Sequence, residues 1–170
     1  MPENTPFTKI KHTRDFGARV VVEGATLSDA YVRAKAIAEQ EQLAFVHPYD
    51  DPLVIAGQGT VALEFLKQIP DLDTLVVPIG GGGLISGIAI AARALKPGIR
   101  IFGVEAEIYP AMYNVLKGTN LPVSGLTIAE GIAVKDPGVI TKPVVKALGF
   151  DLVWFGVLFC LVVQTAYLSP

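Results

Sequence analysis

Four consecutive glycines, Gly80-Gly81-Gly82-Gly83, stand directly after the apolar run Thr74-Leu75-Val76-Val77-Pro78-Ile79 and directly before the Ala- and Ile-rich stretch 84–95. Such a run costs chain entropy, because glycine loses more backbone freedom on folding than any other residue. What it permits is close backbone approach. Without Cβ atoms, successive N–H groups converge on an anion, and a helix start adds the positive end of its dipole. A phosphate is the expected occupant, with a plain glycine turn as the alternative. No Lys-Ser or Lys-Thr follows the loop, which excludes a nucleotide P-loop. A dinucleotide fingerprint fits more nearly. Gly81, Gly83 and Ser86 approximate G-x-G-x-x-G, and Glu105 stands about twenty residues on, where a ribose-binding acid belongs.

The other chemically able residues have plainer readings. His47, beside Pro48, is expected to be a local hydrogen-bonder, and His12 to be exposed. Asp50 and Asp51 read as turn residues rather than paired catalytic carboxylates. Gln58-Gly59-Thr60 reads as the start of a helix, and Lys9 and Lys11 as surface lysines preceding one. The single cysteine, Cys160, excludes an internal disulfide framework and a multi-cysteine zinc site. A reducing, cytoplasmic setting follows as the expectation. Fourteen Lys and Arg against sixteen Asp and Glu leave a net charge of -2 with no basic block, which argues against nucleic acid as a partner. The opening Met1-Pro2-Glu3-Asn4 carries no signal-peptide pattern.

These residues must be held by alternating strands and helices, since the hydrophobic period switches between two and 3.6. Arg19–Glu23 and Ala44–Val46 read as short strands. Leu27, Ala30, Tyr31, Ala34 and Ile37 form one helical stripe; Ala62, Phe65, Leu66 and Ile69 form another, closed by Pro70. A strand at Thr74–Val77, the glycine turn, a helix over 84–95 and a strand at Arg100–Val104 make a βαβ crossover of about thirty residues, which implies parallel pairing. A domain boundary is expected near Pro48–Pro52. At the other end, Phe150 to Val163 is an apolar run shorter than the roughly twenty residues of a membrane span. It reads as a frameshifted or mis-assigned end, with a tail anchor as the alternative; Trp154 and Cys160 inside it receive no function.

The stretch Val76-Val77-Pro78-Ile79-Gly80-Gly81-Gly82-Gly83-Leu84-Ile85-Ser86-Gly87 resembles the tetraglycine loop that holds the cofactor phosphate in the threonine dehydratase and serine racemase group of pyridoxal-phosphate (PLP) enzymes. Phe45 to Pro52, with Val54 to Thr60, resembles the passage from that group's small domain back into its large one. Thr127 to Lys135 resembles the segment passing the cofactor's other side, and Met1 to Pro6 with Lys9 and Arg14 to Ala18 also fits. The resemblance covers residues 1 to 148. Gly131 to Lys135 with Pro137-Gly138 is nearer to threonine dehydratase than to serine racemase.

The resemblance implies an α/β fold, a three-layer α/β/α arrangement with a parallel sheet of the fold-type II (tryptophan synthase β-like) class, here incomplete. Residues 1–50 would be the remainder of a small α/β domain, 51–148 part of a large PLP-binding domain, and 149–170 an aberrant tail. It implies PLP as cofactor, held at Gly80, Gly81, Gly82, Gly83 and Leu84, with Gly131 against the ring. It implies L-threonine or L-serine as substrate, a 2-oxo acid and ammonia as products, and a homo-oligomer in the complete enzyme. The group's Schiff-base lysine sits in a Ser-x-Lys-x-Arg-Gly-Ala context, and nothing in these 170 residues matches it. The chain is therefore expected to be an internal fragment, inactive alone. No metal is expected, because Tyr109-Pro110-Ala111 stands where the racemases carry a second acid after Glu105. A serine racemase-like enzyme, a non-catalytic degenerate product and a Rossmann-type NAD-binding domain remain as alternatives.

Overall fold

Thr74–Pro78 (β1) pairs in parallel with Arg100–Val104 (β2) in the computed structural model, which describes residues 1–149. The register runs from Thr74 opposite Arg100 to Pro78 opposite Val104, and Ile79 extends it by donating its N–H to the Val104 carbonyl at 2.6 Å. Between the strands runs the helix Gly83–Leu95 (α4), which completes the expected crossover. Leu75 and Val77 of β1 are buried while Val76 between them is half exposed, so one sheet face carries the core. That core joins Leu75, Val77, Ile79 and Ile101 to Ile85, Ile88, Ala89 and Ala92 of α4, with Ala62, Met112 and Val145 from the surrounding helices.

The described residues form two compact units, 1–46 and 47–149. In the second, Pro52–Gln68 is a helix (α3) packed on α4. Its start is set by Asp51, whose carboxylate accepts the N–H groups of Leu53 and Val54 at 2.8 and 3.1 Å, and by Pro52 in the first turn. The helix thus begins ahead of Gln58-Gly59-Thr60, which lie in its middle; the expected start there is wrong because the Asp-Pro cap outweighs the local turn signal. Gly59 faces Gly87 of α4. A Cβ added at Gly87 would lie 2.7 Å from the Gly59 nitrogen, so these glycines let the two backbones approach. Of the expected stripe, Ala62 and Leu66 pack on the core, whereas Phe65 and Ile69 are exposed. After β2 come Ala111–Lys117 (α5), a 3-10 turn at Glu130–Ile132, and Thr141–Leu148 (α6).

The first unit contains Phe7–Asp15 (α1) and Leu27–Gln40 (α2). Lys9 and Lys11 lie within α1 rather than ahead of it, and His12 is exposed. The start of α2 is a capping box: the Asp29 N–H donates to the Thr26 hydroxyl at 3.2 Å, and the Thr26 N–H donates back to the Asp29 carboxylate at 2.9 Å. Only part of the expected apolar stripe is covered, since Leu27 is exposed and Ala34 and Ile37 line an open cavity of about 590 Å³. Val20, Val21 and Phe45 line that same cavity. The strands expected at Arg19–Glu23 and Ala44–Val46 are not formed. A strand exists only with a ladder partner, and here the first segment makes isolated bonds with Met1, through Val21 and Glu23, while Arg19 forms an exposed ion pair with Glu41 at 2.7 Å. The expectations for Phe150 to Val163 lie outside the described residues.

Candidate phosphate site at the glycine loop

Ile79 to Gly82 connect β1 to the start of α4, and Gly82 occupies the N-cap position with φ of +95°. Only glycine adopts that left-handed conformation without strain. No side chain caps α4. Among the described residues, the amide N–H groups of Gly80, Gly81, Gly82, Gly83 and Leu84 make no hydrogen bond, although Gly81, Gly82 and Gly83 are buried. Buried N–H groups are nearly always paired in folded proteins. A row of unpaired amides at the positive end of a thirteen-residue helix is an arrangement that can receive an anion. The carbonyls of Gly81 and Gly82, by contrast, are occupied. Gly82 accepts from the Ser86 N–H at 3.1 Å; Gly81 accepts from the Gly138 N–H at 3.0 Å and from the Thr141 hydroxyl at 2.6 Å. Carbonyls turned into the protein leave the amides turned the other way.

The glycines are also required for a reason the sequence did not show. A Cβ added at Gly81 would run into the ring of Tyr49, and one at Gly83 would meet the Tyr49 carbonyl oxygen at 2.6 Å. At Gly82 it would lie 2.8 Å from Met112 Cε and from Thr141. From the sequence, the missing side chains are expected to give an anion access to the backbone. In the structure the space on the Cβ side is already filled by protein, which leaves the N–H side as the one an anion could meet. Tyr49 is itself held, its hydroxyl donating to the Asp136 carbonyl at 3.0 Å.

The segment after residue 130 comes to the loop as well. From the position of a Cβ on Gly80, Val134 Cγ2 is 3.0 Å away, Ile132 Cα 3.3 Å and the Gly131 oxygen 3.7 Å. Gly131 is exposed and a Cβ on it would meet nothing within 4 Å, so packing does not demand glycine there. Leu84 is half-buried in the first turn of α4.

Asp50 is a tie between distant segments rather than a simple turn residue. Its carboxylate accepts the N–H groups of Val139 and Ile140 at 2.8 Å each, and of Thr141 at 3.4 Å, at the start of α6. His47 is the local hydrogen-bonder expected: its Nδ1 accepts the N–H groups of Asp50 and Tyr49 at 2.8 and 3.3 Å. Tyr49, Asp50 and Thr141 escaped sequence reasoning in these roles, because their partners lie far along the chain. The Pro137-Gly138 pair was the available signal that a tight backbone approach occurs nearby; a Cβ at Gly138 would run into Asp50.

Glu105 has both carboxylate oxygens engaged, by the N–H groups of Met112 and Tyr113 at 2.7 Å each. It caps α5, whose own N-cap, Pro110, has no side-chain bond. Burial pushes its carboxyl up to about 7, against the opposing pull of those two amides. Both oxygens are thus already committed to the start of α5, a structural role distinct from that of a ribose-binding acid. Among the described residues, no three His, Cys, Asp or Glu side chains gather as metal ligands, and no helix is long and apolar enough to cross a membrane.

Comparison with known proteins adds to this geometry. The family model described as pyridoxal-phosphate dependent enzyme matches residues 1–153. An L-threonine ammonia-lyase of Geobacter sulfurreducens is 50% identical over 156 residues, which is 90% of this chain and 39% of that protein. One of Thermotoga maritima is 46% identical over 148 residues, covering 86% and 37%. Among solved structures, maize serine racemase superposes with a TM-score of 0.87 at 33% identity, over 98% of this chain and 51% of its own. The chain thus spans about two-fifths of the curated relatives it matches.

Proposed function

We propose, for a chain that belongs to the pyridoxal-phosphate dependent enzyme family, that it forms the phosphate-holding part of a threonine ammonia-lyase. The reaction would convert L-threonine or L-serine to a 2-oxo acid and ammonia. The observation that carries this is the row of unpaired amides from Gly80 to Gly83 at the start of α4, and the L-threonine ammonia-lyases at 50% and 46% identity supply the chemistry. The fold-type II α/β class is that of the structural neighbours.

Pyridoxal phosphate, when bound, supplies an electron sink that makes the substrate's α-proton removable. This chain's residues hold and orient it. The N–H groups of Gly80, Gly81, Gly82, Gly83 and Leu84 bind the phosphate, and Gly131, brought beside Gly80 by its own segment, lies against the ring by its backbone. Residues 1–50 belong to a small α/β domain and 51–148 to a large cofactor-binding one. The amine that would carry the cofactor and move the proton is not supplied here, since no Ser-x-Lys-x-Arg-Gly-Ala stretch occurs in the 170 residues. The chain is inactive by itself on this reading. A homo-oligomeric whole enzyme is supported by apolar side chains left bare, such as Leu53 at 83% and Val139 at 78% exposure. A cytoplasmic setting is supported by the single cysteine.

The test is titration of the chain with pyridoxal phosphate, inorganic phosphate and NAD in parallel. Binding of the first two, with chemical-shift changes at the loop amides, is the expected result. Binding of NAD alone would reverse the assignment in favour of a dinucleotide site.

A further inference from the structure

We propose that Thr141 is a positioning residue for the phosphate site, locking the Gly81–Gly82 peptide so that the Gly82 N–H faces the anion; this rests on the reading of Gly80 to Gly83 as that site. A loop of four glycines has no side chain with which to fix its own peptide planes, and glycine resists few rotations. Something outside the loop must choose the orientation. Thr141 is fully buried, and its hydroxyl donates to the Gly81 carbonyl at 2.6 Å, with the Gly138 carbonyl a more distant acceptor at 3.2 Å. The Gly138 N–H reaches the same Gly81 oxygen at 3.0 Å. Two donors occupy both lone pairs of that oxygen. Because the peptide unit is planar and trans, a carbonyl fixed toward Thr141 sends the Gly82 N–H in the opposite direction.

Thr141 is in turn well anchored. It opens α6, and Asp50 holds the backbone just before it through the Val139 and Ile140 amides. Its side chain also touches Gly82, where an added Cβ would lie 2.8 Å from its Cβ and Oγ1. The hydroxyl is therefore placed by one rigid element and acts on another. Without it, the Gly81 oxygen keeps a single partner, and the Gly81–Gly82 peptide gains freedom to rotate away from the aligned orientation.

The experiment uses the full 170-residue chain, labelled with 15N, as wild type, Thr141→Val and Thr141→Ser. Assigned glycine amide signals are followed before and during titration with inorganic phosphate and with pyridoxal phosphate. In Thr141→Val, the Gly81 and Gly82 signals are expected to shift or broaden without any ligand, and phosphate affinity to fall about tenfold. Thr141→Ser keeps the hydroxyl and should restore both. A Thr141→Val chain with wild-type glycine signals and wild-type affinity overturns the proposal. If that variant does not fold, Thr141→Ser decides: unchanged loop signals and affinity uphold the role, and a folded Thr141→Ser chain with lost affinity overturns it. If the wild-type loop amides ignore both ligands, the phosphate-site reading itself fails, an outcome distinct from failure of the Thr141 role.

Discussion

The carboxylate of Asp50 accepts the amide N–H of Ile140 at 2.8 Å, from a residue ninety positions away in the chain. With the neighbouring Val139 amide it satisfies donors that the start of α6 would otherwise leave open. Asp50 thus joins the segment leading into α3 to the helix that reaches the glycine loop.

Replacing Asp50 by alanine should destabilise the chain by about 1 to 2 kcal/mol, the usual cost of losing a side-chain cap. Asn, which keeps one acceptor oxygen, should recover part of it. Urea unfolding of the three chains measures this, and an Asp50→Ala chain as stable as wild type would show that the tie contributes nothing.

Glu105 predicts a pH dependence of opposite sense to that of an ordinary surface carboxylate. Its folded-state value, about 7, lies above the ordinary glutamate value of 4.5. Between those values the folded state holds the proton and the unfolded state does not. The group's contribution is therefore fully present at pH below 4.5 and is lost as pH rises through 7. Glu105→Gln removes the titration. The difference in urea midpoint between wild type and Glu105→Gln should change steadily from pH 5 to pH 7.5, and a difference independent of pH would contradict the shift.

Gly81 and Tyr49 should behave as a coupled pair. Gly81→Ala places a methyl into the Tyr49 ring and should destabilise markedly. In a chain that already carries Tyr49→Ala the three nearest obstructing atoms are gone and the same substitution should cost less, giving a coupling of about 1 kcal/mol or more in a double-mutant cycle. Additive losses would mean that the ring moves aside freely.

Purified chain, free of host enzyme, should form no 2-oxo acid from L-threonine or L-serine above background. The reason is chemical: none of its lysines stands in the context that carries the cofactor in this family. Steady production of 2-oxo acid, measured by coupled reduction, would show that one of them does.

The βαβ unit was legible in the residues because every determinant is local. A β-branched run, a glycine turn, a stretch of Ala and Ile ended by Lys96-Pro97-Gly98 and a second β-branched run each declare themselves within their own few positions, and β1, α4 and β2 follow within a residue or two. The capping box of α2 is equally local. The expectation of an anion at Gly80 to Gly83 rests on local features too, since an anion-binding turn is a property of consecutive amides. Arg19–Glu23 and Ala44–Val46 have strand composition but no strand, because pairing is decided by what lies alongside and not by the segment itself. Tertiary structure alone decided that Tyr49 covers Gly81 and that Asp50 caps α6. It alone decided that Thr141 grips the loop from sixty residues away. Those contacts join segments far apart in the chain, and no periodicity or propensity within either segment encodes which group of one will meet which group of the other.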